Sequence, residues 1–114
     1  MPNNSGVRNG IHTGAELRNE LSAARNKLVV VYFSSGKCGP CRLTTPFLNN
    51  LEPQMPDVVF INVDTNESED FIEHFEIKGI PAFFFFRKTT LVYKFEGANT
   101  QFLEARINEL RHIS

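Results

Sequence analysis

Phe33-Ser34-Ser35-Gly36-Lys37-Cys38-Gly39-Pro40-Cys41-Arg42 joins two apolar segments of different period. Before it, Leu28 to Phe33 is an unbroken run of β-branched, leucine and aromatic residues. Continuous rather than alternating apolarity predicts a strand covered on both faces. After it, the spacing predicts a helix from about Cys38 to Asn50, with Leu43, Phe47, Leu48 and Leu51 turned inward. Pro46 lies within that helix and should bend it, because it removes one N–H and crowds the carbonyl of Arg42. A buried strand running through a short loop into a helix, with two cysteines at the junction, is an α/β signature.

The flanking segments extend the pattern in both directions. Upstream, Val7 to Ile11 could form a short strand. Thr13 and Glu16 fit a capping box for a helix from about Gly14 to Arg25, with Leu17, Leu21 and Ala24 at helical spacing. Downstream, Pro53 and Pro56 end the second helix, and Val58 to Val63 reads as another buried strand. Asn66 or Ser68 caps a short acidic helix that turns Phe71, Ile72 and Phe75 inward. Ala82 to Phe86 is a third buried strand, and Lys88-Thr89-Thr90 turns it tightly into Leu91 to Phe95. A last helix starts at Asn99 or Thr100 and places Phe102, Leu103, Ile107 and Leu110 on one face. Helices alternating with buried strands make the first part parallel with right-handed crossovers, and the short final connection makes the last two strands antiparallel. The predicted fold is α/β: a single mixed β-sheet of four to five strands, flanked by helices on both faces.

Composition narrows the function. The chain has 114 residues, 41% of them apolar, which suits one domain over residues 1–114 with residues 1–6 flexible. Twelve Lys and Arg against thirteen Asp and Glu give a net charge of −1, with no basic run to follow a phosphate backbone, so nucleic acid is not an expected partner. The longest apolar stretches are far below the roughly 20 residues of a spanning helix, so no membrane partner is expected. Met1 to Gly10 has no apolar segment of the secretory kind, and Pro2 removes the glycine that myristoylation needs. The expectation is a cytoplasmic, reducing location, where an even cysteine count does not imply a structural framework.

Cys38 and Cys41 carry the chemistry. Two thiols three residues apart at a helix start can close a disulfide without moving the scaffold. Cys38 lies by the helix N-terminus, whose free N–H groups and positive dipole end favour a thiolate, and the Lys37 ammonium beside it acts in the same direction. Cys41, turned inward, is the less exposed thiol. That asymmetry separates an attacking from a resolving cysteine. Pro40 suits a first helical turn because its missing N–H would have no partner there. Two other readings stay open. A purely stabilising disulfide would be weak, since closing a four-residue loop contributes only about 2 kcal/mol, and it would be reduced in the cytosol. A zinc site needs four ligands; the other candidates, His12, His74 and His112, are scattered, so a metal would have to bridge two copies. No metal is expected.

The stretch from Phe33 to Arg42 with Pro46 resembles the active-site strand, loop and helix of the thioredoxin family. Asn62-Val63-Asp64, Ile77-Lys78-Gly79-Ile80-Pro81-Ala82 and Phe95-Glu96-Gly97-Ala98 are similar to the family's later segments, and the element order agrees over nearly the whole chain. Cys-Gly-Pro-Cys is specific to thioredoxins among the related oxidoreductases. The resemblance implies a thioredoxin fold with a cis peptide before Pro81, packed against the cysteine pair. It implies a shallow apolar groove formed by Gly39, Pro40, Ile80, Pro81, Gly97 and Ala98, with Lys37 beside it. An extended substrate would lie there, paired to the backbone at Ile80.

The activity implied is reduction of protein disulfides by dithiol–disulfide exchange. Cys38 attacks, Cys41 resolves, and a flavin- and NADPH-dependent thioredoxin reductase restores the dithiol. The chain itself binds no cofactor and works as a monomer. The alternative is a redox-regulated binding module of the same fold that grips a partner and releases it on oxidation, with little turnover. Three positions depart from the family pattern. Lys37 stands where the family usually has Trp, Tyr32 where it has a buried Asp, and Phe60 where many bacterial members have Lys.

Overall fold

Thr13 Oγ1 accepts the Glu16 N–H at 3.1 Å, and Glu16 Oε1 accepts the N–H groups of Thr13 at 3.0 Å and His12 at 2.7 Å. This is the expected capping box, and it opens α1 over Gly14–Ala23. The computed structural model describes residues 6–67 and 70–112. Beyond α1 it contains β1 (Leu28–Ser34), α2 (Cys41–Leu51), a 3₁₀ turn (Glu52–Gln54), β2 (Val58–Asp64), α3 (Asp70–His74), β3 (Ala82–Arg87), β4 (Thr90–Glu96) and α4 (Thr100–Arg111). The sheet order is β2-β1-β3-β4, with β1 parallel to β2 and antiparallel to β3, and β3 antiparallel to β4.

All seven residues of β1 are buried, as its unbroken apolar run predicts. Strand side chains alternate between faces, so this single run supplies two cores. Val29, Val31 and Phe33 pack with Leu17 and Leu21 of α1 and Phe71 of α3. Val30 and Tyr32 pack with Leu48 and Leu51 of α2 and Leu103 and Ile107 of α4. The four consecutive phenylalanines of β3 divide in the same way, Phe84 and Phe86 to the first core and Phe83 and Phe85 to the second. Helices therefore cover both faces, and the loop after β1, an interior strand, emerges at one end of the sheet, where α2 begins.

Several expectations need correction. The segment from Val7 to Ile11 forms no fifth strand. Arg8 alone bridges to Ile61, through bonds of 2.9 Å from Arg8 N–H to the Phe60 carbonyl and 2.8 Å from Asn62 N–H to the Arg8 carbonyl. Gly10, at φ +85°, then turns the chain away. α1 stops at Ala23 rather than Arg25, because Arg25 adopts φ 56°. Leu43 does not face the core: it is 71% exposed. The buried stripe of α2 is Cys41, Thr44, Leu48 and Leu51, and Leu43 sits about 100° round the helix from Thr44. Phe102 is likewise outside the buried stripe of α4, which is Leu103 and Ile107; its ring meets Phe95 edge-on, with centroids 4.9 Å apart. Asn99 is the N-cap of α4 and accepts the Phe102 N–H at 2.9 Å. The candidate cap Ser68 lies outside the described residues.

Candidate functional site

The end of β2 fixes the loop that follows β1. The Ser34 carbonyl accepts both the N–H of Thr65, at 2.8 Å, and its hydroxyl, at 3.1 Å. Ser35 Oγ accepts from Asn66 Nδ2 at 2.9 Å and from the Lys37 N–H at 3.1 Å, while the Ser35 carbonyl accepts the Cys38 N–H at 3.0 Å. Cys38 and Cys41 follow, joined as a disulfide with Cα atoms 5.3 Å apart, a usual bridging distance.

α2 starts at Cys41, not at Cys38 as expected, so Cys41 is its first residue rather than one turn in. Pro40 is the N-cap and offers no side-chain acceptor. The first amide of the helix, Cys41 N–H, is instead donated to Cys38 Sγ at 3.1 Å. When the pair is reduced, an N–H in this position and the dipole end behind it stabilise a Cys38 thiolate. The expected asymmetry of exposure holds: Cys38 is half-buried and Cys41 is buried.

A set of hydroxyls lies behind Cys41. Tyr32 Oη is 2.6 Å from Thr44 Oγ1 and 2.9 Å from Thr45 Oγ1, and Thr44 Oγ1 donates to the Cys41 carbonyl at 3.4 Å. The Tyr32 ring stacks on Phe83, with centroids 5.1 Å apart, and Phe60 belongs to the same core. Among the described residues, the buried polar side chains besides Tyr32 are Ser34, Thr44 and Thr65, none of them a carboxylate. The two threonines were not read from the sequence as site residues. Thr44 was detectable, since it lies three residues after Cys41 on the same helical face.

A shallow depression of about 430 Å³ opens beside Cys38. Of the expected groove residues, Lys37, Pro40 and Ile80 line it. Ile72, expected in the core, lines it too, as do Ile77 and Lys78, which lie outside the expected groove. Gly39, Pro81, Gly97 and Ala98 do not line it. Gly39 is exposed. Pro81 is buried and follows a cis peptide bond. Its carbonyl accepts the Gly97 N–H at 2.8 Å, and Ala98 comes next, half-buried. Gly97 has φ +121°, which an L side chain rarely adopts. The N–H and C=O of Ile80 have no hydrogen-bond partner among the described residues.

A second cavity, of about 470 Å³, lies at the opposite end of β1, a strand length or about 20 Å away. Three of its cations bond to connecting segments and to the end of α4. Arg87 donates to the carbonyls of Asn26 and Leu110, Lys27 to that of Pro56, and Arg111 to the Asp57 carboxylate, whose pKa it lowers. Among the described residues, no three His, Cys, Asp or Glu side chains converge in a way that could hold a metal ion.

Comparison with known proteins places this geometry. The Thioredoxin family model matches residues 10–109. Human thioredoxin is 42% identical over 100 residues, covering 88% of this chain and 95% of that protein. Sheep thioredoxin is 46% identical over 90 residues, covering 79% and 86%. Among solved structures, a poplar thioredoxin h superposes with TM-score 0.88 at 33% identity, covering 96% of this chain and 99% of the other. Fasciola hepatica thioredoxin gives 0.86 at 30% identity, covering 90% and 98%.

Proposed function

The chain belongs to the thioredoxin family, and from that premise we propose how its residues carry out the reaction. It is a thiol–disulfide oxidoreductase acting on protein disulfides. Cys38 is the nucleophile. As a thiolate it attacks one sulfur of a substrate disulfide, forming a mixed disulfide and releasing the other substrate sulfur as a thiolate that takes up a proton. Cys41 then loses its proton and attacks Cys38 Sγ. The Cys38–Cys41 bond forms, the mixed disulfide breaks, and the second substrate sulfur leaves as a thiol. Two electrons and two protons pass to the substrate. The observation that carries this assignment is the Cys41 N–H aimed at Cys38 Sγ, together with the greater exposure of Cys38.

The substrate lies extended across Lys37, Gly39, Pro40, Ile80, Pro81, Gly97 and Ala98, and pairs with the free backbone groups of Ile80. Ile72 and Ile77 add apolar contact at one side. A flavin- and NADPH-dependent thioredoxin reductase returns the electrons, and the cytoplasm is the compartment in which this cycle runs. Among the described residues no helix is long and apolar enough to cross a membrane.

Turnover of insulin with a thioredoxin reductase and NADPH tests the cycle. Steady NADPH oxidation that requires both cysteines is the expected result. If insulin is reduced with dithiothreitol but NADPH is not consumed, the reductase assignment is wrong. If neither occurs, the protein is a binding module.

A further inference from the structure

The wall of the depression beside Cys38 is held by a side chain from another element. Lys78 N–H donates to Glu96 Oε2 at 3.0 Å, across eighteen residues of sequence. Glu96 is the last residue of β4, paired with Ala82 of β3, and the next residue, Gly97, donates its N–H to the Pro81 carbonyl. The other end of the segment is fixed by the Ile77 N–H, which donates to the Ile72 carbonyl at 2.9 Å. Residues 78–81 thus have two ties to the end of β4, one through backbone and one through a carboxylate. Between the ties, the backbone of Ile80 is left free.

Gly79 fits the same arrangement. A Cβ placed there would come within 3.3 Å of Glu96 Oε1, tighter than ordinary contact. Of the glycines among the described residues it is the one whose added Cβ would meet another group within 4 Å. Glycine at 79 therefore lets the carboxylate close over the segment and reach the Lys78 amide.

We propose that Glu96 is a positioning residue for substrate: its carboxylate holds the 78–80 wall so that the Ile80 backbone is presented to an extended peptide, and Gly79 makes room for it. The inference rests on the groove reading above. It concerns peptide binding and leaves exchange at the sulfurs untouched. A charge-assisted bond to a backbone amide orders the segment more than a neutral one does, but the essential property is an acceptor oxygen, which Gln retains.

Three variants test this against wild type. Glu96→Ala should raise KM for insulin by about three- to tenfold, the range expected for losing one bond from a charged acceptor at an exposed site, with kcat unchanged. The reduction rate of a small aromatic disulfide without a peptide should not change. Glu96→Gln should recover most of the insulin KM. Gly79→Ala should raise KM in the wild-type background and add little in Glu96→Ala, since both act on one contact. Independently of turnover, the Lys78 amide should exchange with deuterium faster in Glu96→Ala than in wild type or Glu96→Gln. An unchanged KM and unchanged Lys78 exchange in Glu96→Ala would overturn the proposal, as would an equal loss on the small disulfide. Failure of wild type itself to reduce insulin would instead overturn the groove reading, and the exchange measurement would still decide the contact.

Discussion

Cys38 and Cys41 are chemically identical residues made unequal by about one turn of chain. Cys38 receives the first amide of α2 and is half-buried, whereas Cys41 is buried. Limiting iodoacetamide on the reduced protein should therefore alkylate Cys38 first, and preferential labelling of Cys41 would reverse the assignment. Lys37 is exposed next to Cys38, so its charge acts through solvent. Thiolate formation on Cys38 should move to higher pH in Lys37→Trp at low salt. The difference should shrink near 0.15 M salt, where the Debye length is about 8 Å; titration of thiolate absorbance reads it. Tyr32 is more committed. Removing its hydroxyl in Tyr32→Phe leaves Thr44 Oγ1 with only its 3.4 Å bond to the Cys41 carbonyl. Leaving a buried hydroxyl short of partners should cost about 1–3 kcal/mol in urea unfolding. The Tyr32 hydroxyl is engaged with Thr44 and Thr45, whereas a carboxylate is a ready proton acceptor, so Tyr32→Asp should speed resolution of the mixed disulfide while lowering stability. A positioned base gives about 10²–10⁴-fold, and a gain at or below the low end is expected, because solvent water can also take up a proton. Equal stopped-flow resolution rates for the two proteins across the neutral range would leave Tyr32 a packing residue.

At the scale of elements, local rules were legible and long-range ones were not. The capping box of α1, the unbroken run of β1 and the cap of α4 each depend on residues within about six positions; the first two form as expected, and of the two candidate starts of α4 Asn99 is the cap. The placement of Leu43 failed because apolarity alone does not set the face of a helix; Cys41 and Thr44 set it, and Thr44 is polar. The pairing of the two cysteines and their unequal exposure were legible, although the helix starts three residues later than its spacing suggests, and the cis bond before Pro81 was legible through the resemblance. Glu96 and the Tyr32–Thr45 bond were not, since nothing within either segment announces a partner thirteen or eighteen residues away. Arg111 and Asp57 are a further case, a bidentate pair across 54 residues that ties the end of α4 to the turn before β2. The Arg111 hydrogen bonds lower the Asp57 pKa. Asp57→Asn should lose no more than about 1 kcal/mol at neutral pH, because the carboxylate is 48% exposed and screened. The sign follows from the lowered pKa. The pair stabilises fully above the unfolded carboxyl value near 4, and its contribution is lost as pH falls through the lower folded value. Urea unfolding of the two proteins should therefore converge in acid.

For the whole molecule, a covered four-stranded sheet makes a rigid base for a site that changes by one covalent bond. The disulfide closes a loop of four residues, so oxidation should raise unfolding stability by only about 2 kcal/mol. A small gain is compatible with a bond that is made and broken in each cycle. In the proposed mechanism, electrons pass through a covalent intermediate on Cys38, resolved by Cys41. The most direct test of this route is a single turnover of reduced Cys41→Ser and Cys38→Ser with a protein disulfide, followed by peptide mapping under non-reducing conditions. Cys41→Ser should accumulate substrate bound at Cys38, and Cys38→Ser should accumulate none. Substrate trapped at Cys41 in Cys38→Ser, or turnover by Cys41→Ser at the wild-type rate with no trapped complex, would contradict the account.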